Sequence, residues 1–128
     1  MSKIAIIGAG NMGGAIARRL LTTGNEITVT AAHKATLDRL QSECPEVKTT
    51  TDNRIAVAGA SIVILAVKPW VVDTVLSEIR SSLQKKCIVV SVAATVSLES
   101  LSHMLNRDDI GIYRAIPNTP VAIGKGVT

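Results

Sequence analysis

The opening residues of this chain constrain its fold more than any other stretch. Ile4-Ala5-Ile6-Ile7 is an unbroken apolar run that stops at Gly8-Ala9-Gly10-Asn11-Met12-Gly13-Gly14. A short apolar run closed by a glycine turn and followed by helical periodicity reads as strand, turn and helix start. Gly8, Gly10 and Gly13 make the pattern G-x-G-x-x-G. Gly8 permits a backbone conformation that a side chain resists. Gly10 leaves room for a group to approach the main chain, and Gly13 lets the helix pack closely. The first amides of that helix have no acceptor within it and carry the positive end of its dipole. A strand, a glycine turn and a helix at this spacing form a pyrophosphate-binding turn for a dinucleotide. Other adenosyl ligands and an unliganded structural turn are the competing readings.

Downstream, strand and helix signals alternate. The first helix is predicted from Asn11 to about Thr22, with Met12, Ile16, Ala17, Leu20 and Leu21 on one face and Arg18 and Arg19 turned away. Gly24-Asn25 stops it. Ile27–Thr30 is a second strand. A short helix follows with Ala35, Leu37 and Leu40 inward, ended by Pro45. Val47–Thr50 is a short third strand, and Asn53–Ala58 makes one or two helical turns. Ile62–Val67 is apolar at every position, as in a strand covered on both faces. Val72, Val75, Leu76, Ile79 and Leu83 recur at helical spacing, and Cys87–Val92 is a fifth strand. Ser97 caps a helix carrying Leu98, Leu101, Met104 and Leu105. Ile110–Ala115 is a sixth strand. The alternation predicts an α/β domain of Rossmann type: a doubly wound, mostly parallel six-stranded sheet with helices on both faces, in the order 3-2-1-4-5-6.

Composition narrows the function. With 47% hydrophobic residues in 128, the chain can bury a core as one domain. At 2% aromatic residues it lacks stacking platforms for single-stranded nucleic acid. The net charge of +4 is spread out, Lys85-Lys86 being the longest basic run, so no nucleic-acid partner is expected. Cys44 and Cys87 form no metal or redox motif. No apolar run approaches a membrane span and no cleavable leader is evident, so a cytoplasmic protein without metal is expected.

The end of the second strand bears on the choice of dinucleotide. An acid there accepts hydrogen bonds from the adenine ribose and repels a ribose phosphate. Here the sequence runs Thr30-Ala31-Ala32-His33-Lys34, with no acid. Lys34, with His33 and Thr30 as hydrogen-bonding neighbours, favours NADPH, with NADH the alternative. A lysine in a solvated helical turn is the bland reading.

Ile7-Gly8-Ala9-Gly10-Asn11-Met12, Leu65-Ala66-Val67-Lys68-Pro69, Ser91-Val92-Ala93-Ala94 and Arg114-Ala115-Ile116-Pro117-Asn118-Thr119-Pro120 coincide, in this order, with one family. The chain resembles the N-terminal, dinucleotide-binding part of pyrroline-5-carboxylate reductase. The resemblance implies NADPH-dependent reduction of 1-pyrroline-5-carboxylate to L-proline, the last step of proline synthesis. It places Asn11 and Met12 along the pyrophosphate and Asn53 near the adenosine phosphate. It places Ala66, Val67 and Lys68 beside the ribose and nicotinamide, and Ala93 and Ala94 around the nicotinamide. Pro117, Asn118 and Thr119 fall in the loop that closes over that ring and faces the substrate. No residue is implied as a general acid; Lys68 is a candidate, against the bland reading that Lys68-Pro69 only shapes a turn.

The same resemblance makes residues 1–128 the NADP-binding domain. It implies a further helical domain that dimerises and supplies most of the substrate pocket, so the isolated chain is expected to have little activity. Thr95 stands where the family has glycine after the paired alanines, and Trp70 stands where a polar residue is common. Trp70 is expected to be half-buried against its neighbours. The competing functional readings are another NADP-dependent reductase of similar architecture and a non-catalytic dinucleotide sensor.

Overall fold

The computed structural model describes residues 3–93 and 95–115; the side chain of Asn11 is outside the description. Six parallel strands form one sheet: β1 (Lys3–Ile7), β2 (Glu26–Thr30), β3 (Lys48–Thr50), β4 (Ile62–Leu65), β5 (Ile88–Ser91) and β6 (Gly111–Arg114). Their order is β3-β2-β1-β4-β5-β6, the predicted one. Register is continuous across the centre: Ile7 stands beside Thr30 on one side and Leu65 on the other, and Leu65 stands beside Ser91. The helices are α1 (Asn11–Leu21), α2 (Lys34–Glu43), α3 (Asn53–Val57), α4 (Val72–Ile79) and α5 (Leu98–Leu105), with short 3-10 turns at Pro69–Val71 and Arg80–Ser82.

Right-handed crossovers divide the helices between the two faces. Ile16 and Ala17 of α1 and Leu37 and Leu40 of α2 pack with Ile4, Ile6, Ile27 and Val29 on one face. Ala56 and Val57 of α3, Val72, Val75, Leu76 and Ile79 of α4, and Leu101 and Leu105 of α5 pack with Ala5, Ile7, Val63, Leu65 and Val89 on the other. Successive strand residues point to opposite faces, so β1 and β4 must be apolar throughout to serve both. On the α1 side, Ile62, Ile64, Ile88, Val90 and Tyr113 line an apolar cavity of about 320 Å³ with Ile4 and Leu20.

Helix ends follow the expected chemistry. Ser97 caps α5, its Oγ accepting from the Ser100 amide at 3.1 Å. Gly24, beyond the end of α1, takes φ +80°, which side chains rarely adopt. Arg107 ties the lower edge together, donating to the Arg80 and Leu83 carbonyls at 2.7 Å and pairing with Asp109. That pairing holds the Asp109 carboxyl below its ordinary range. The pair therefore stabilises the fold above the usual carboxylate range and loses that contribution as pH falls through the depressed value.

Several packing expectations are corrected. Met12, Leu98 and Ala35, expected in the core, are exposed. Trp70, expected to be half-buried, is 77% exposed. The common cause is position: each lies in the first turn of a helix or 3-10 segment entered from the sheet's upper edge. A first-turn side chain tilts toward the helix N-terminus and so points past the sheet rather than onto it. β4 ends at Leu65, not Val67, because the chain there leaves the sheet to cross the glycine turn. Cys44 and Cys87 are free thiols and both are buried; burial pushes the Cys87 thiol up to about 11, out of the range of a reactive thiolate.

Leu76 is fully buried and Ile55 is 62% exposed. Leu76→Ala is expected to cost about 2–5 kcal/mol in urea unfolding. Ile55→Ala should stay within about 0.5 kcal/mol of the parent.

Candidate functional site

The upper edge of the sheet, where the strands end, is held together by main-chain bonds. The Gly8 amide donates to the Thr30 carbonyl at 3.0 Å and the Ala66 amide to the Ile7 carbonyl at 2.8 Å. The Val92 amide donates to the Leu65 carbonyl at 3.1 Å. The crossovers reverse direction between β1 and β4, and the crevice at such a switch point is where open α/β sheets bind ligands.

The glycine turn fills the floor of this crevice. Gly8 has φ +109°, and a Cβ there would lie 2.5 Å from the Ala66 carbonyl oxygen and 3.1 Å from Cγ1 of Val67. A Cβ on Gly13 would lie 1.7 Å from the Gly8 carbonyl oxygen. Gly13 thus lets the helix close on the turn itself, while its approach to the β4 end is an ordinary 3.6 Å to the Ala66 side chain. Gly10 differs: a Cβ there would meet nothing within 4 Å. Its surroundings are open, as a cradle for an incoming group must be.

Electrostatics agree with the geometry. Gly10 is the N-cap of α1 and offers no side-chain oxygen, and the first turn contains no acid. The positive end of α1 is therefore uncompensated by its own sequence. His33 and Lys34 begin α2, both exposed, again with no side-chain cap and no acid in the first turn. Thr30 does not join them at the surface, since it is only 1% exposed. The structure therefore brings together Gly8, Gly10, Gly13, Ala66 and Val67. Met12 stands at the rim, 39% exposed.

Lys68 is exposed and precedes the Pro69–Val71 turn, its carbonyl accepting from the Val71 amide at 2.9 Å. Asn53 begins α3, but its Nδ2 donates to Glu78 of α4 at 2.8 Å, a carboxylate partner the sequence reading did not foresee. Ala93 is buried beyond β5, its amide donating to Ser91 Oγ at 3.2 Å. Thr95 is exposed in the turn before α5. Ala94, Pro117, Asn118 and Thr119 lie outside the described residues.

The sequence reading overlooked a groove of about 480 Å³ between α1 and α2. It opens at Ala9 and Gly10 and is walled by Gly14, Arg18, Thr36 and Arg39 among others. Arg18 pairs across it with Glu43. Thr36 and Arg39 are three residues apart on α2, a helical spacing that places both on one side and was available from sequence. Met12, Ile55, Trp70 and Leu98, each in the first turn of its helix or 3-10 segment, are four of the five exposed large hydrophobic residues among those described. Also among the described residues, no group of three or more His, Cys, Asp or Glu is placed to hold a metal, and no helix is long and apolar enough to cross a membrane.

A family model described as NADP oxidoreductase, coenzyme F420-dependent, matches residues 3–95. The chain is 38% identical to pyrroline-5-carboxylate reductase of Escherichia coli over 98% of its own length and 48% of that enzyme's. It is similar to the structure of a pyrroline-5-carboxylate reductase from Coxiella burnetii, with TM-score 0.84 and 36% identity, covering 95% of this chain and 46% of that one. Pyrroline carboxylate reductase of Plasmodium falciparum, solved with NADP bound, shares the fold at TM-score 0.77 and 22% identity, over 98% of this chain and 45% of that one. The chain thus spans less than half the length of these relatives.

Two substitutions separate stability from openness at the turn. Gly13→Ala places its methyl on the Gly8 carbonyl and is expected to lower the melting temperature sharply or prevent folding. Gly10→Ala should leave the melting temperature within a few degrees of the parent, about the shift that 1 kcal/mol or less produces.

Proposed function

The chain belongs to the NADP oxidoreductase, coenzyme F420-dependent family, and from that premise we propose that it is the cofactor-binding part of an NADPH-dependent reductase of 1-pyrroline-5-carboxylate. The observation that carries this is the open space above Gly10, at the uncompensated N-terminus of α1, beside the β1–β4 switch point. A diphosphate fits there because it needs bare amides, a positive dipole and no Cβ in its way. The substrate comes from the similarity to pyrroline-5-carboxylate reductases over nearly the whole chain.

The nicotinamide supplies hydride chemistry when bound. The protein's part is placement. Gly8, Gly10, Asn11, Met12 and Gly13 take the diphosphate. His33 and Lys34 attract the phosphate on the adenine ribose, with Asn53 nearby. Ala66, Val67 and Lys68 line the ribose, and Ala93 and Ala94 offer main-chain surface to the nicotinamide. Pro117, Asn118 and Thr119 close the substrate side. No side chain is assigned a proton transfer. Holding the two reacting rings in register supplies much of the rate.

The apolar rim of Met12, Ile55, Trp70 and Leu98 supports a second, helical domain closing over this edge, with the whole protein a homodimer or larger homo-oligomer. Catalysis then belongs to the whole protein, in the cytoplasm. A second reading rests on the family description, which names coenzyme F420: a reductase exchanging hydride between NADPH and a deazaflavin.

Titration of the chain should show NADPH binding more tightly than NADH, with Lys34→Ala eroding the difference by about tenfold, the worth of one charge-assisted contact. Equal affinities in the parent would contradict the proposed specificity. The protein carrying its second domain should oxidise NADPH with 1-pyrroline-5-carboxylate. Oxidation with a deazaflavin alone would select the second reading, and binding without turnover would make the protein a sensor.

A further inference from the structure

We propose that Arg39 is a second specificity-determining residue for the nucleotide, its guanidinium receiving the phosphate of the adenine ribose in the groove between α1 and α2; this rests on the NADPH reading above. Ala9 and Gly10, where the diphosphate is placed, line the same groove as its α2 wall. That wall presents Thr36 and Arg39.

Two cations and one carboxylate face the groove, and their pairing decides which is available. Glu43 is taken by Arg18, which it holds more firmly protonated than an ordinary arginine. Arg39 is four residues before Glu43 on the same helix and would otherwise be its natural partner. With Glu43 drawn to α1, the Arg39 guanidinium has no hydrogen-bond or ion-pair partner among the described residues. Arg39 shares the groove wall with Thr36, which lies one helical turn nearer the N-terminus of α2. A planar guanidinium presents paired N–H donors that match two phosphate oxygens, which a lysine ammonium does not.

The experiment measures dissociation constants of the parent chain, Arg39→Ala and Arg39→Lys for NADPH, NADH and adenosine 2′,5′-bisphosphate. Thermal melts of each variant check the fold, and Arg39, exposed and unpaired, should be replaceable without loss. Arg39→Ala is expected to weaken NADPH and the bisphosphate about tenfold and NADH less than about twofold, with Arg39→Lys in between. Equal weakening of NADPH and NADH, or no change in either, overturns the role of Arg39 while the parent's preference for NADPH leaves the cofactor reading standing. A parent that binds NADPH and NADH equally overturns both.

Discussion

The contact on which the rest of the structure depends is the one between the Gly8 carbonyl and the backbone of Gly13. A methyl group in that gap would sit 1.7 Å from the oxygen, so the strand-to-helix turn exists only because nothing is there. The same turn is wedged under the end of β4, whose Ala66 carbonyl leaves no space for a side chain at Gly8. The closest of these approaches between the three elements are to main-chain atoms. This closeness aims the first amides of α1 along the crevice, and it does so without a polar side chain that would have to be desolvated. The device that locks α1 to the sheet also leaves its N-terminus open.

Topology does the remaining work. Parallel strands place every strand end on one edge, and the reversal between β1 and β4 opens a gap there. The helices that follow each strand start on that edge, so their first-turn residues overhang it. This is why Met12, Trp70 and Leu98, apolar and spaced like core residues, stand in solvent. A hydrophobic rim around a crevice is costly to leave in water and is the kind of surface that a second domain or subunit covers.

The sheet order, the six strands and the capping of α5 by Ser97 were legible in the sequence because each rests on local chemistry: unbroken apolar runs, glycine punctuation and a serine before a helical period. Side-chain placement at the helix starts was not. Periodicity reports which residues share a helix face, but not where the sheet beneath that face ends. The bond from Asn53 to Glu78 and the diversion of Glu43 to Arg18 also escaped, since each joins residues 25 apart in the chain whose meeting is set by helix packing. The glycine pattern located the crevice, but the distinction between Gly13, which is packed, and Gly10, which is open, needed coordinates. Geometry alone leaves the chemistry general, since one fold serves many reactions.

The central claim is that a dinucleotide diphosphate rests on the amides at the start of α1. Backbone amide resonances of the isotope-labelled chain, followed during titration with NADPH, test it most directly. The Gly10, Met12 and Gly13 amides should shift in step with saturation, and further than those of Gly24 and Gly59, which lie in turns away from the crevice. Saturable binding that leaves the three α1 amides unmoved would contradict the account.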